Sequence, residues 1–166
     1  MLYGAGLRRS EAVGLDVADY DQATGELVVR GGKGNKDRRA YTGNGSARAL
    51  ADWLSVRGLE AGPLFVPVDK AGRVTVRRLT DQAVYRLLSK RAAQAGVARF
   101  SPHDLRRTFV SDLLDAGADI SAVKALAGHA SIDTTARYDR RGEVAKQRAI
   151  ALLHVPYHAG AGTQGR

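Results

Sequence analysis

Three segments of this chain carry side chains able to work on a phosphate ester. "SPHDLRR" sets His103 and Arg106 at i and i+3, so both project from one helix face. Both lie near the N-terminal end, where free backbone N–H groups favour an anion. "GLRRSE" places Arg8 after a Gly-Leu turn, with Glu11 three residues on to orient it through an ion pair. "GHASIDTTARY" puts His129 nine residues ahead of Tyr138, across a small turn and a short helix. A guanidinium fork matches two phosphate oxygens, and an imidazole can donate, accept or move a proton. A tyrosine in that place can pack in a core, touch a DNA backbone, or attack as a nucleophile.

Two more segments bear on phosphate chemistry. "GGKGNKDRR" is a glycine-rich hairpin with Lys33, Lys36, Arg38 and Arg39 at its tip and stem. Such a tip is either simply solvated or delivers a lysine into a DNA groove or onto a leaving group. It is not a Walker-type P-loop, because the glycine–lysine spacing differs and no helix follows. "DVADYD" clusters Asp16, Asp19 and Asp21, a set that can hold Mg²⁺ for phosphoryl transfer. Asp is also favoured at strand starts and turns for local reasons.

The elements that must position these groups are mixed but mainly helical. The pattern predicts a short helix over 7–14, then three short antiparallel strands at 15–20, 26–30 and 38–42. A helix follows after Gly45 with Leu50, Trp53 and Leu54 on one side, and an extended piece covers "GPLFV". A long amphipathic helix is expected over 75–95, with Leu79, Ala83, Leu87 and Leu88 in register. Ser101 reads as an N-cap, Pro102 as the first helical residue and Gly117 as the stop of the next helix. Short helices at 121–127 and 132–138 precede a last one over 143–153, which Pro156 breaks. The fold class is therefore α+β, mainly α, with a small three-stranded sheet. Residues 1–155 read as one domain, and the small, polar stretch 156–166 as a disordered tail.

Composition narrows the partner. The 166 residues carry 26 Lys plus Arg against 17 acidic groups, a formal charge of +9. That balance favours a polyanion. No apolar run approaches the roughly 20 residues of a membrane span, so nucleic acid is the expected partner rather than a membrane. The N-terminal residues lack the order of a signal peptide, and a cytoplasmic location is the expectation. There is no cysteine, which removes disulfides, thiolate metal sites and cysteine nucleophiles.

Taken jointly, Arg8, the lysine hairpin, His103 with Arg106, His129 and Tyr138 come in an order that resembles the catalytic domain of the tyrosine recombinases, the phage integrase family. "YGAGLRRSEAVGL" is similar to the family's first-arginine motif, "GKGNKDR" to its lysine hairpin, "HDLRRTF" to its His-x-x-Arg motif and "LAGHASIDTTARYDR" to its His-to-Tyr segment. The resemblance implies a helical catalytic domain that cleaves and rejoins DNA through a 3′-phosphotyrosyl intermediate. It implies that Arg8 and Arg106 bind the non-bridging oxygens, that His129 adds a hydrogen bond and that Tyr138 attacks. His103 is then the base, Lys33 the acid for the 5′-oxygen with Lys36 as its alternative, and Glu11 a support for Arg8. Lys36, Arg38 and Arg107 are expected on DNA. Arginines stand where a metal would, so no cofactor is implied. The family's chains act as tetramers on DNA, with a C-terminal helix exchanged between subunits. They also carry an N-terminal core-binding domain, which this sequence lacks, so the expectation is an N-terminally truncated chain.

Three rivals remain at this level. One is a helix-turn-helix reader without chemistry in "ISAVKALAGHASIDTTARYDR". Another is a type IB topoisomerase with the same nucleophile. The third is a metal-dependent nuclease built on the Asp cluster.

Overall fold

A computed structural model describes residues 1–31 and 37–153. Lys33, Lys36 and the tail 156–166 lie outside the described residues. Among those described, helices dominate: α1 (Arg9–Gly14), α2 (Asn44–Arg57), α3 (Asp81–Gln94), α4 (Pro102–Asp115), α5 (Ile120–Ala127), α6 (Ile132–Ala136) and α7 (Gly142–Ala151).

The sheet has two strands, not three. β1 (Glu26–Val29) pairs antiparallel with β2 (Arg38–Tyr41), in the register Leu27↔Ala40 and Val29↔Arg38. The expected strand at 15–20 is a 3-10 turn over Val17–Asp19, touching the sheet through a single Tyr20↔Leu27 bridge. The cause is local: Asp19 Oδ2 accepts the Asp16 N–H at 2.9 Å, and this closes the turn before a ladder can form. Alternation on β1 and β2 buries Leu27, Val29 and Ala40 and turns Val28, Arg39 and Tyr41 outward.

The helix expected over 75–95 begins six residues late. Thr75 N–H bonds the Pro67 carbonyl and Leu79 N–H bonds the Phe65 carbonyl, so this stretch pairs with the preceding extended segment. Thr80 then caps α3 by accepting the Ala83 N–H. Leu88 packs inward, whereas Leu87 stays 49% exposed. α4 starts as its sequence demands: Ser101 Oγ accepts the Asp104 N–H, Asp104 Oδ2 accepts the Ser101 N–H, and Pro102 is the first residue. α6 ends at Ala136, so Tyr138 follows the helix rather than lying within it.

The core has two parts. One gathers Leu2, Leu7, Leu15, Leu27, Leu50 and Leu64 around the sheet, α1 and α2. The other gathers Val110 and Leu114 of α4 with Val123 and Ala127 of α5, and Tyr138 packs on its edge. Buried methylenes of this kind contribute about 0.8 kcal/mol each. The seam between the two parts is where Arg8, Arg106 and Gly128 meet. α7 contributes no buried residue. No helix is long and apolar enough to cross a membrane among the described residues.

Candidate active site

The C-terminal end of α5 organises the site. Its last carbonyls form the negative pole of the helix and lack intrahelical partners. Arginines from three other elements fill that role. Arg38 Nη1 donates to the Leu126 carbonyl at 2.6 Å, Arg106 Nη2 to the Ala127 carbonyl, and Arg8 Nη2 to the Gly128 carbonyl at 3.1 Å. Gly128 makes this possible by turning into the left-handed region, φ 59°, which ends α5.

Glu11 sits among these cations. Its Oε1 takes Arg8 Nη1 at 2.7 Å, and its Oε2 takes the Arg8 backbone N–H at 2.7 Å and Arg38 Nη2 at 2.8 Å. Arg106 Nη1 stands 3.9 Å from Oε2 and donates to the Gly6 carbonyl. Burial alone would raise the Glu11 pKa. The hydrogen bonds and charges of Arg38 and Arg8 outweigh it and hold the carboxyl below its ordinary value. Arg106 is shifted the other way: burial, then the like charge of Arg8, lowers it to about 10. It remains a cation at neutral pH.

His129 follows Gly128 directly. Its Nδ1 pairs with Thr135 Oγ1 at 2.9 Å, and Thr135 is fully buried. Burial, then the charges of Arg106 and Arg8, lowers the His129 pKa to about 4. The ring is therefore neutral at pH 7, and Nε2 is the ring atom left for a ligand. The Tyr138 ring lies beside it, centroid to centroid 6.3 Å. Arg107 lies over the Tyr138 ring, 5.8 Å from its centroid. Asp104, Arg107, Arg137, Tyr138 and Arg140 line an open cleft of about 340 Å³.

The structure thus brings Arg8, Glu11, Arg106, His129 and Tyr138 into one neighbourhood. The His103 side chain is exposed and makes no hydrogen bond among the described residues; its charge is felt at His129. Arg107 is exposed beside Tyr138, while Arg38 is turned inward onto Glu11 and α5. Lys33 and Lys36 lie outside the described residues; of the residues flanking them, Gly31 N–H donates to Asp37 Oδ1 at 3.0 Å. Sequence reasoning missed Thr135 and the three carbonyls. Thr135, the fourth residue of α6, carries no mark of burial in the sequence, and backbone acceptors leave no trace in residue types.

The Asp cluster is occupied by structural work. Asp16 binds Arg78, Asp19 binds Arg30 at 2.8 Å, and Asp21 caps its own turn through Ala23 and Thr24. No group of three or more potential metal ligands occurs among the described residues. The helix-turn-helix reading fares no better: α6 has five residues, less than two turns, and the turn before it is engaged by Arg8 and Arg106.

The chain is similar to tyrosine recombinase XerC of Azotobacter vinelandii, 45% identical over 145 residues, 83% of this chain and 45% of that protein. It is 39% identical over 141 residues to tyrosine recombinase XerC of Pelobacter propionicus, 82% of this chain and 44% of that protein. The chain spans about half the length of the curated relatives it matches. Among solved structures, the XerA recombinase superposes with a TM-score of 0.71 at 28% identity, over 94% of this chain and 56% of that one. The phage integrase family model matches residues 1–143, and the chain belongs to that family.

Proposed function

We propose that this chain is the catalytic domain of a site-specific tyrosine recombinase, over residues 1–155, which cleaves and rejoins double-stranded DNA. One observation carries the reading: Arg8 and Arg106 are both fixed on the turn that leads into His129, whose ring stands beside Tyr138. A phosphodiester repels nucleophiles by its charge. Transfer needs cations on the non-bridging oxygens, a nucleophile in line, and an acid for the leaving oxygen.

Arg8 and Arg106 supply the cations. His129, kept neutral with Nδ1 facing Thr135, donates Nε2–H to the same phosphate. Tyr138 Oη attacks phosphorus, and His103 takes its proton. The P–O5′ bond breaks, leaving a 3′-phosphotyrosyl ester and a 5′-hydroxyl. Lys33 protonates that 5′-oxygen, with Lys36 as the alternative. The ester keeps the bond energy, so a second strand's 5′-hydroxyl reverses the step without ATP. Guanidinium groups provide the positive charge, and the reading calls for no metal or cofactor.

Arg107, beside the nucleophile, and Lys36 contact the DNA backbone. The exposed apolar residues Val144, Ile150, Leu152 and Leu153 of and after α7 fit a helix that docks on a neighbouring subunit of a tetramer on DNA. Access to a DNA substrate fits the expected cytoplasmic location. The XerC relatives favour a recombinase over a topoisomerase.

The test is a pool of nicked, randomised duplexes from which the 5′-hydroxyl fragment diffuses away after cleavage. Denaturation-resistant protein–DNA adducts are recovered and sequenced. The expected result is adduct enriched in one sequence, lost in Tyr138→Phe. DNA that binds but is never captured covalently would reduce the chain to a DNA-binding module.

A further inference from the structure

Arg38 opens β2, two residues after Lys36 in sequence, yet it does not face out as its neighbour does. Its side chain is 12% exposed against 71% for Arg39. Nη1 is engaged by the Leu126 carbonyl and Nη2 by Glu11. Nε is buried with no partner among the described residues. Gly128 closes over the stem: a Cβ there would sit 2.7 Å from Arg38 Cδ and Nε. Among the arginines felt at His129, its charge acts more weakly than those of Arg106 and Arg8.

The consequence lies in what Arg8 leans on. Arg8 has two anchors, Glu11 and the Gly128 carbonyl. Arg38 holds both from behind, binding the same carboxylate and filling the space under the same turn. A guanidinium with one free edge needs such bracing, because its long stem otherwise samples many rotamers.

We propose that Arg38 is a positioning residue that aims Arg8 at the scissile phosphate, and not a DNA contact. This rests on the reading of Arg8 as a phosphate ligand. A lysine cannot replace Arg38, because one ammonium cannot span Glu11 and Leu126 as a planar fork does.

The experiment uses the whole chain with ¹⁵N-labelled arginine side chains and inorganic phosphate as the probe. Wild type, Arg38→Ala, Arg38→Lys and Arg8→Ala are titrated, and the Arg8 resonance is followed where present. Both Arg38 variants should weaken the phosphate Kd read at Arg8 by about tenfold or more, the scale of one lost charge-assisted bond. Binding to a short random duplex should keep its salt slope in both variants, because a lost phosphate contact lowers that slope by about 0.9. If Arg38→Ala does not fold, Arg38→Lys, which keeps charge and stem, carries the test alone. Wild-type behaviour of Arg38→Lys, an unchanged Kd in both variants, or a slope reduced by about 0.9 would overturn the proposal. An Arg8 resonance that ignores phosphate in wild type would sink the reading of the site itself, and the role of Arg38 with it.

Discussion

The side chains of Arg106 and Glu11 are 4% and 6% exposed, whereas α7 buries nothing and Leu152 beyond it is 87% exposed. The arginine nest is tied to Gly6, Ala127, Gly128, Leu126 and Glu11 by direct hydrogen bonds. The arm that carries Tyr138 is held at its root by Arg140–Asp115 and by Arg141, which binds Asp139 and the Ala118 carbonyl. Arg141 keeps the Asp139 carboxyl down at about 2, and this pair is half-buried, less enclosed than the nest. The contrast has a chemical sense. Groups that stabilise transition-state charge work best when fixed beforehand. A nucleophile that joins and leaves phosphorus, the role proposed for Tyr138, can sit on a looser element.

Removing a cation from the nest should have the largest effect. Arg106→Ala leaves the buried Gly6 and Ala127 carbonyls unpartnered, at about 1–3 kcal/mol each, while Glu11 keeps Arg8 and Arg38. Arg8, at 31% side-chain exposure, should cost far less stability when cut to Ala, yet lower the cleavage rate by about 10²–10³. Urea melts and single-turnover cleavage separate the two. Equal destabilisation by both would erase the distinction between a buried and a presented arginine.

Glycine substitutions probe the same contrast more finely. Gly128 and Gly142 both have positive φ, 59° and 47°. Alanine at Gly142 meets open space and should cost only the backbone term of about 1 kcal/mol. Alanine at Gly128 adds a clash with Arg38 and should cost at least twice as much, with a matching loss of phosphate binding at Arg8.

Amide exchange should divide the chain in the same place. Amides of α4 and α5 are expected near the global unfolding limit, and those of α7 far below it, because its hydrogen bonds have no buried face behind them. Strong protection in α7 of the isolated chain would mean that the arm docks on a partner copy.

Stability should also depend on pH through the nest. His129 has a pKa near 4 in the fold against an ordinary 6.5, so the unfolded chain binds the proton first. This contribution to stability is complete above about 6.5 and declines as pH falls toward about 4. Denaturation midpoints at neutral and mildly acidic pH should show that slope, and His129→Gln should flatten it.

Much of this was legible in residue types. The α4 start was written in Ser101 and Pro102, and Arg8, Glu11, Arg106, His129 and Tyr138 stood out by kind and spacing. What was hidden depended on contacts across the chain. The 75–80 stretch has helical periodicity, but its backbone donors are drawn to Phe65 and Pro67. The expected third strand failed because two aspartates three residues apart close a turn more readily than they join a ladder. Arg38 read as a surface cation, since nothing in "KDRR" tells which arginine turns inward.

The most direct test of the account is to find the atom that holds the DNA. Captured adduct is digested with protease and nuclease, and the modified peptide is sequenced by mass spectrometry. The account predicts a phosphonucleotide on Tyr138 and no adduct in Tyr138→Phe, with duplex binding retained. A nucleotide on any other residue, or an adduct that survives Tyr138→Phe, would contradict it.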